Sequence, residues 1–165
     1  MYKKDELVMY GGMGVCRIVD IGKPSFVDES DHNEYYFLEP VFKSGNFYVP
    51  IDSEKTLLRK ILTKKAAKGL IDSIPTIKPD VFTTNSVQQL AQHYQALIDN
   101  HKEEDLLLLI KSVTVKEAEC QKNNKKLGQI DKRFIKKAQE LLYGELAAVL
   151  GVDIETIEKM VEEKM

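Results

Sequence analysis

Four cations stand at a chemically suggestive spacing in the stretch Gln129-Ile-Asp-Lys-Arg-Phe-Ile-Lys-Lys-Ala-Gln-Glu-Leu-Leu-Tyr-Gly-Glu-Leu-Ala-Ala-Val-Leu150. On a helix advancing about 100° per residue, Lys132, Arg133, Lys136 and Lys137 fall on one half of the circumference. Ile130, Phe134, Ile135, Ala138, Leu141, Leu142, Leu146 and Val149 fall on the other. The acid nearest the cations is Asp131. A helix start also offers free backbone N–H groups, so ammonium and guanidinium groups gathered there have the chemistry of a phosphate platform. The same pattern describes an ordinary solvated helix face, and spacing alone leaves both readings open.

The other residue types capable of chemistry form no catalytic set. Cys16 sits in a run rich in β-branched residues with no histidine motif near it, which is the setting of a small packed residue rather than a nucleophile. Cys16 and Cys120 are the two cysteines, and they suggest neither metal-ligand spacing nor a disulfide framework. His32, His93 and His101 are scattered over loop and helix, so no metal site is expected. Without a nucleophile, a base and an orienter together, an enzyme is the weakest reading and no cofactor is expected. Glu145 is the exception worth following. It lies about 60° from Ile130 on the helical wheel, inside the apolar half, and a buried carboxylate must find hydrogen-bond donors. It reads as a structural polar anchor of a helical bundle, with Gly144 beside it permitting close helix approach.

Charge is unevenly spread. The net charge is −2 over 165 residues, but residues 111–137 carry nine basic against three acidic side chains, and residues 138–165 carry two against seven. A small basic patch beside an acidic tail favours weak, local nucleic-acid contact over a wholly basic coat. With 43% hydrophobic and 30% charged residues the composition is that of a globular protein. The longest apolar run, Leu106 to Ile110, is far too short to span a bilayer, so no membrane partner is expected. The opening Met1 to Glu6 lacks the apolar stretch of a secretory leader, and the reading expects a cytoplasmic protein.

These residues need elements to position them. Leu7–Tyr10, Gly14–Ile21, Glu34–Phe42, Phe47–Ile51 and Leu57–Leu62 read as five short strands, and the polar, acidic stretch Phe26 to Asn33 reads as a hairpin loop. Pro40 and Pro50 belong at strand ends, bulges or edges, because proline cannot donate to a ladder. From Thr63 the period becomes helical. Helices are expected over Lys64–Ser73, from Ser86 with a capping-box pattern to Gln89, over Glu103–Lys122, over Gln129–Leu150, and over Ile154–Glu163 after Gly151 and the N-cap Asp153. Val87, Leu90, Tyr94, Leu97 and Ile98 form the apolar stripe of the second. The fold class is therefore α+β: a bent antiparallel β domain over residues 1–62 and an all-α bundle over residues 63–165.

In order and spacing along nearly its whole length, the chain resembles the CarD family of bacterial RNA polymerase-binding transcription regulators, whose N-terminal module also occurs in transcription-repair coupling factors. The likeness rests on Asp5-Glu-Leu-Val-Met-Tyr-Gly-Gly-Met-Gly-Val-Cys-Arg-Ile18, on Glu34-Tyr-Tyr36, and on Val49-Pro-Ile-Asp-Ser53 with Leu58-Arg59. In the second half it rests on Asp131-Lys-Arg133, Lys137-Ala138 and Leu141-Leu-Tyr-Gly-Glu-Leu-Ala147. The resemblance implies a Tudor-like N-terminal domain that binds the RNA polymerase β subunit, and a helical domain that touches promoter DNA and stabilises the open complex. The sequence departs from the family pattern at Gly11 and Met13, usually proline and histidine, and at Ser53, usually asparagine. The chain has no tryptophan to serve as the wedge some members place beside DNA. Leu90 stands in that region, and its stripe says core where the resemblance says DNA.

Exposed aromatic neighbours on a short edge strand suit main-chain pairing with a partner strand. Arg17, Tyr48, Val49 and Pro50 are accordingly the expected polymerase-binding residues, and Leu90, Lys132, Arg133, Lys136 and Lys137 the expected DNA-binding ones. The alternative is an interaction adaptor that uses the β domain without touching DNA.

Overall fold

Short β-branched and aromatic runs between glycine and proline stops make five strands: β1 (Leu7–Tyr10), β2 (Gly14–Gly22), β3 (Tyr35–Pro40), β4 (Phe47–Pro50) and β5 (Leu58–Lys60). They form one antiparallel sheet in the order β4-β3-β2-β1-β5. The computed structural model describes residues 1–52 and 57–165, and the chain divides into units Met1–Ile61 and Leu62–Met165. Ser53 lies outside the described residues. Pro40 and Pro50 are each the last residue of their strand, where the missing N–H does least harm.

The curl of the sheet is written into β2. Ile18 and Ile21 are three residues apart, and in an unbroken strand they would face opposite sides. The β2–β3 register instead skips Val19, pairing Ile18 with Leu38 but Asp20 with Phe37 and Ile21 with Tyr36. This bulge returns both isoleucines to one face and bends the strand. That face forms the core of Val8, Cys16, Ile18, Tyr36, Leu38 and Val49. Gly11 opens a single turn between β1 and β2 at φ 41°, with its N–H on the Leu57 carbonyl at 2.9 Å. A side chain there would be strained by that φ and would press within 3.1 Å of Leu57.

The helical unit contains α1 (Lys64–Asp72), α2 (Val87–Asp99), α3 (Glu103–Lys122), α4 (Gln129–Leu150) and α5 (Ile154–Lys164). The architecture is α+β, as expected. Thr63, Ser86 and Asp153 cap α1, α2 and α5 by accepting from the N–H groups of Ala66, Gln89 and Thr156. Only half of the capping box at Ser86 forms: the Gln89 side chain accepts from the Thr84 hydroxyl at 3.0 Å, and the Ser86 N–H goes to Thr84 Oγ1 at 3.2 Å. Gly151 ends α4 in the left-handed conformation at φ 68°.

α4 packs against all four other helices. Phe134, Ala138, Leu141, Leu142, Leu146 and Val149 are buried, as the wheel anticipates. The wheel fails past Leu141, because every residue from Leu141 to Ala147 is buried. A helix wrapped by neighbours on several sides has no solvent face to keep polar. Val87 departs from the stripe expected for α2 and is 66% exposed, since it is the first residue of the helix, a turn ahead of the buried Leu90, Tyr94 and Ile98.

Candidate functional site

The first candidate surface is the β4 edge. Among the described residues β4 pairs with β3 alone, so its other side is open. The Ile51 N–H donates to the Glu34 carbonyl at 3.0 Å, which makes Tyr35 and Pro50 a non-hydrogen-bonded pair. By the alternation of an antiparallel ladder, Phe37 and Tyr48 are another such pair. The main-chain N–H and C=O of Tyr48 therefore point away from β3, toward the open edge.

The side chains sort by register. Arg17 is opposite Glu39, Glu39 is two residues from Phe37, and Phe37 is opposite Tyr48, so all four share the face away from the core. Arg17 and Tyr48 are exposed. Pro50, half-buried, is on the same face two residues on. Val49 is not: its side chain is 4% exposed in the core, and its main-chain N–H and C=O, in the hydrogen-bonded pair with Tyr36, face β3. Phe26, which the sequence left in a polar loop, is 68% exposed and meets the Tyr48 ring edge-on at a centroid distance of 4.9 Å. Phe37 meets the same ring at 5.1 Å. Three rings thus gather beside the edge. The acidic stretch before β3 is anchored there too, the Tyr35 hydroxyl donating to Asp31 at 2.9 Å. The Asn33 N–H and that hydroxyl hold the Asp31 carboxyl below the usual carboxylate range. A lone aromatic in an otherwise acidic loop was the signal that could have found Phe26.

The second surface is the outer side of α4. Lys132, Arg133 and Lys136 are exposed, and Lys137 is half-buried. The Arg133 guanidinium lies 4.8 Å from the centroid of the Phe134 ring, within cation–π range. α4 begins without a side-chain cap, leaving backbone N–H groups at the same end. Leu90, 9% exposed, sits on the buried stripe of α2 with Tyr94 and Ile98. Its side chain is part of the helical core.

Asp131, which immediately precedes the cations in sequence, does not face them. Its carboxylate is 3% exposed, accepts from the Lys116 ammonium at 2.9 Å and also from the Tyr94 hydroxyl. Burial first, then the bond to Asp131, pushes the Tyr94 phenol well above the ordinary tyrosine range. Lys116 also donates to the Phe82 carbonyl at 3.1 Å. The acid that could have neutralised these cations is thus consumed inside the helical unit. Glu145 is fully buried and accepts from the Leu62 N–H at 3.0 Å, the anchoring role expected of it. Sequence reasoning missed Lys116, Phe82 and His93, whose rings stack at 4.2 Å and 9° in the latter two. These partners lie 11 to 34 residues apart, beyond any local period.

Among the described residues no cluster of histidine, cysteine, aspartate and glutamate could hold a metal ion. Nor, among the described residues, is any helix long and apolar enough to cross a membrane. Residues 2–62 match the family model of the CarD-like/TRCF RID domain, which covers the β unit and agrees with the resemblance carried by its motifs. No curated protein matches the chain.

Proposed function

We propose that this chain is a transcription regulator that docks on the RNA polymerase β subunit through its β unit and holds promoter DNA with the cations of α4, stabilising the open complex. The observation that carries the reading is the match of residues 2–62 to the CarD-like/TRCF RID domain, a family of RNA polymerase-interacting domains. An edge strand with outward main-chain groups and three neighbouring rings supports the docking role, since main-chain pairing gives affinity and flanking side chains give choice. Arg17, Tyr48 and Pro50 act by side chain in this reading, Tyr48 also by backbone, and Val49 as the core anchor that fixes the strand between them.

Lys132, Arg133, Lys136 and Lys137 neutralise phosphates without reading bases. Four such contacts are weak in free solution, with a log-log salt slope of about −2 to −4. Held beside a promoter by the docked β unit, they experience a high local DNA concentration and shift the equilibrium toward the open complex. Leu90 is left to the core.

The test is a variant with all four cations changed to glutamine. It is expected to bind polymerase like the parent while shortening the lifetime of promoter open complexes. If open complexes persist as long as with the parent, the phosphate platform is refuted and the adaptor without DNA contact takes its place.

A further inference from the structure

Beyond the phosphate contacts, the helical unit carries a run of flat groups. The Phe82 and His93 rings lie nearly parallel at 4.2 Å, and both residues are half-buried. His93 meets Tyr94 edge-on at 5.7 Å, Tyr94 meets Phe134 at 5.6 Å, and Arg133 covers Phe134 at 4.8 Å. Tyr94 and Phe134 are 2% and 6% exposed and do the packing. The members at the two ends, the Phe82–His93 pair and the Arg133 guanidinium, reach solvent.

Phe82 is in the connector before α2, yet its position is fixed. Lys116 holds the Phe82 carbonyl at 3.1 Å and Asp131 at 2.9 Å, and Asp131 also accepts from Tyr94, the neighbour of His93. One lysine–aspartate pair therefore ties the Phe82 backbone, the Tyr94 neighbour of His93, and the first turn of α4 together. Pre-set rings next to cations are what a single strand of nucleic acid requires: phosphates follow the charge, and unpaired bases stack on planar groups. A duplex, whose bases are already stacked on one another, gains only the charge.

We infer that this face binds single-stranded nucleic acid in preference to duplex, stacking unpaired bases on the Phe82–His93 pair and on the Arg133 guanidinium. The inference rests on the reading above that the α4 cations face nucleic acid, and adds to it the state of the strand.

The experiment uses the full chain and fluorescence anisotropy at fixed salt with three probes: a single-stranded oligothymidine, an abasic strand of the same length, and a hairpin duplex. The parent is expected to bind oligothymidine roughly five-fold or more tighter than either other probe, the gain of about one stacked base. His93→Ala should remove most of that preference while leaving duplex affinity and its salt slope unchanged. Arg133→Lys, which keeps the charge and loses the plane, should weaken oligothymidine binding more than duplex binding. Circular dichroism melting verifies that both variants fold, and His93→Phe, which keeps a ring, should restore the preference. Equal binding of all three probes by the parent, or a preference that survives both His93→Ala and Arg133→Lys, overturns the inference. In either case duplex binding that still disappears in the four-glutamine variant leaves the phosphate platform standing, whereas absence of binding to every probe removes both.

Discussion

The two units solve the problem of specifying a fold with different materials. In the β unit the core of Val8, Cys16, Ile18, Tyr36, Leu38 and Val49 holds no charged side chain, and position is set by main-chain register and one bulge. In the helical unit the buried polar side chains are Ser112, Asp131 and Glu145. Each is hydrogen-bonded to a group distant in sequence: Ser112 to the Asp80 N–H, Asp131 to Lys116 and Tyr94, and Glu145 to the Leu62 N–H. Ladders orient strands without help from polar side chains, but helices can slide and rotate on apolar faces. Buried acids with one set of partners pick a single arrangement.

The contrast extends to the proposed function. In that proposal the β unit offers a partner the backbone of its edge, so what matters is which strand is left there. The helical unit offers side chains on the outside of α4, and what matters is that Asp131 is turned inward, away from the cations.

The largest expected effect follows from that difference. Asp131→Ala should lower stability by about 2–5 kcal/mol in chemical denaturation, because it leaves the buried Tyr94 hydroxyl without its acceptor and the half-buried Lys116 ammonium with the Phe82 carbonyl alone. A loss under 1 kcal/mol would show that the helical unit does not depend on its polar core. Leu90→Ala comes next, at about 2–5 kcal/mol, as truncation in a packed site demands. A stable Leu90→Ala protein that fails in promoter opening would instead return Leu90 to the DNA surface.

Most of the elements were legible in the sequence, and the limits are instructive. Glycine and proline stops and the change of period gave the strands and helices nearly to the residue, and α3 and α4 were read with the bounds observed. Glu145 was readable because one wheel angle placed a carboxylate among apolar neighbours. Asp131, about 100° from Ile130 and so also inside the apolar half, carried the same signal, but its partners Lys116 and Tyr94 lie on other helices. Tyr48 and the Val49-Pro50 strand were read together as an aromatic edge: period 2 alone says that neighbours face opposite ways, and only the register says that Val49 faces the core and Tyr48 the outside. The bulge at Val19, which decides that register for β2, leaves no local signature beyond two isoleucines at the wrong spacing.

The smallest effect concerns the cysteines, one in each unit. Burial pushes the Cys16 thiol up to about 11, so its thiolate is scarce at pH 8, and its side chain is closed to solvent. Cys120 is half-buried near the end of α3. A thiol reagent at pH 8 should label Cys120 in the native protein and Cys16 only after denaturation. The sign for stability follows: the contribution of the protonated Cys16 is complete below the ordinary thiol value of 9.0 and is lost as pH rises toward about 11. Labelling of both thiols at equal rates would mean that the β core opens readily.

The central claim is that the β4 edge is the surface by which this chain meets RNA polymerase. Its most direct test is the affinity of full-length protein for immobilised polymerase β subunit with Tyr48→Glu, alongside a thermal melt. Tyr48 is 42% exposed on the outer face, so the variant should melt cooperatively near the parent temperature, while a charge set into the contact weakens binding about ten-fold or more. Parental affinity in a folded Tyr48→Glu protein would contradict the claim and move the docking surface elsewhere on the β unit.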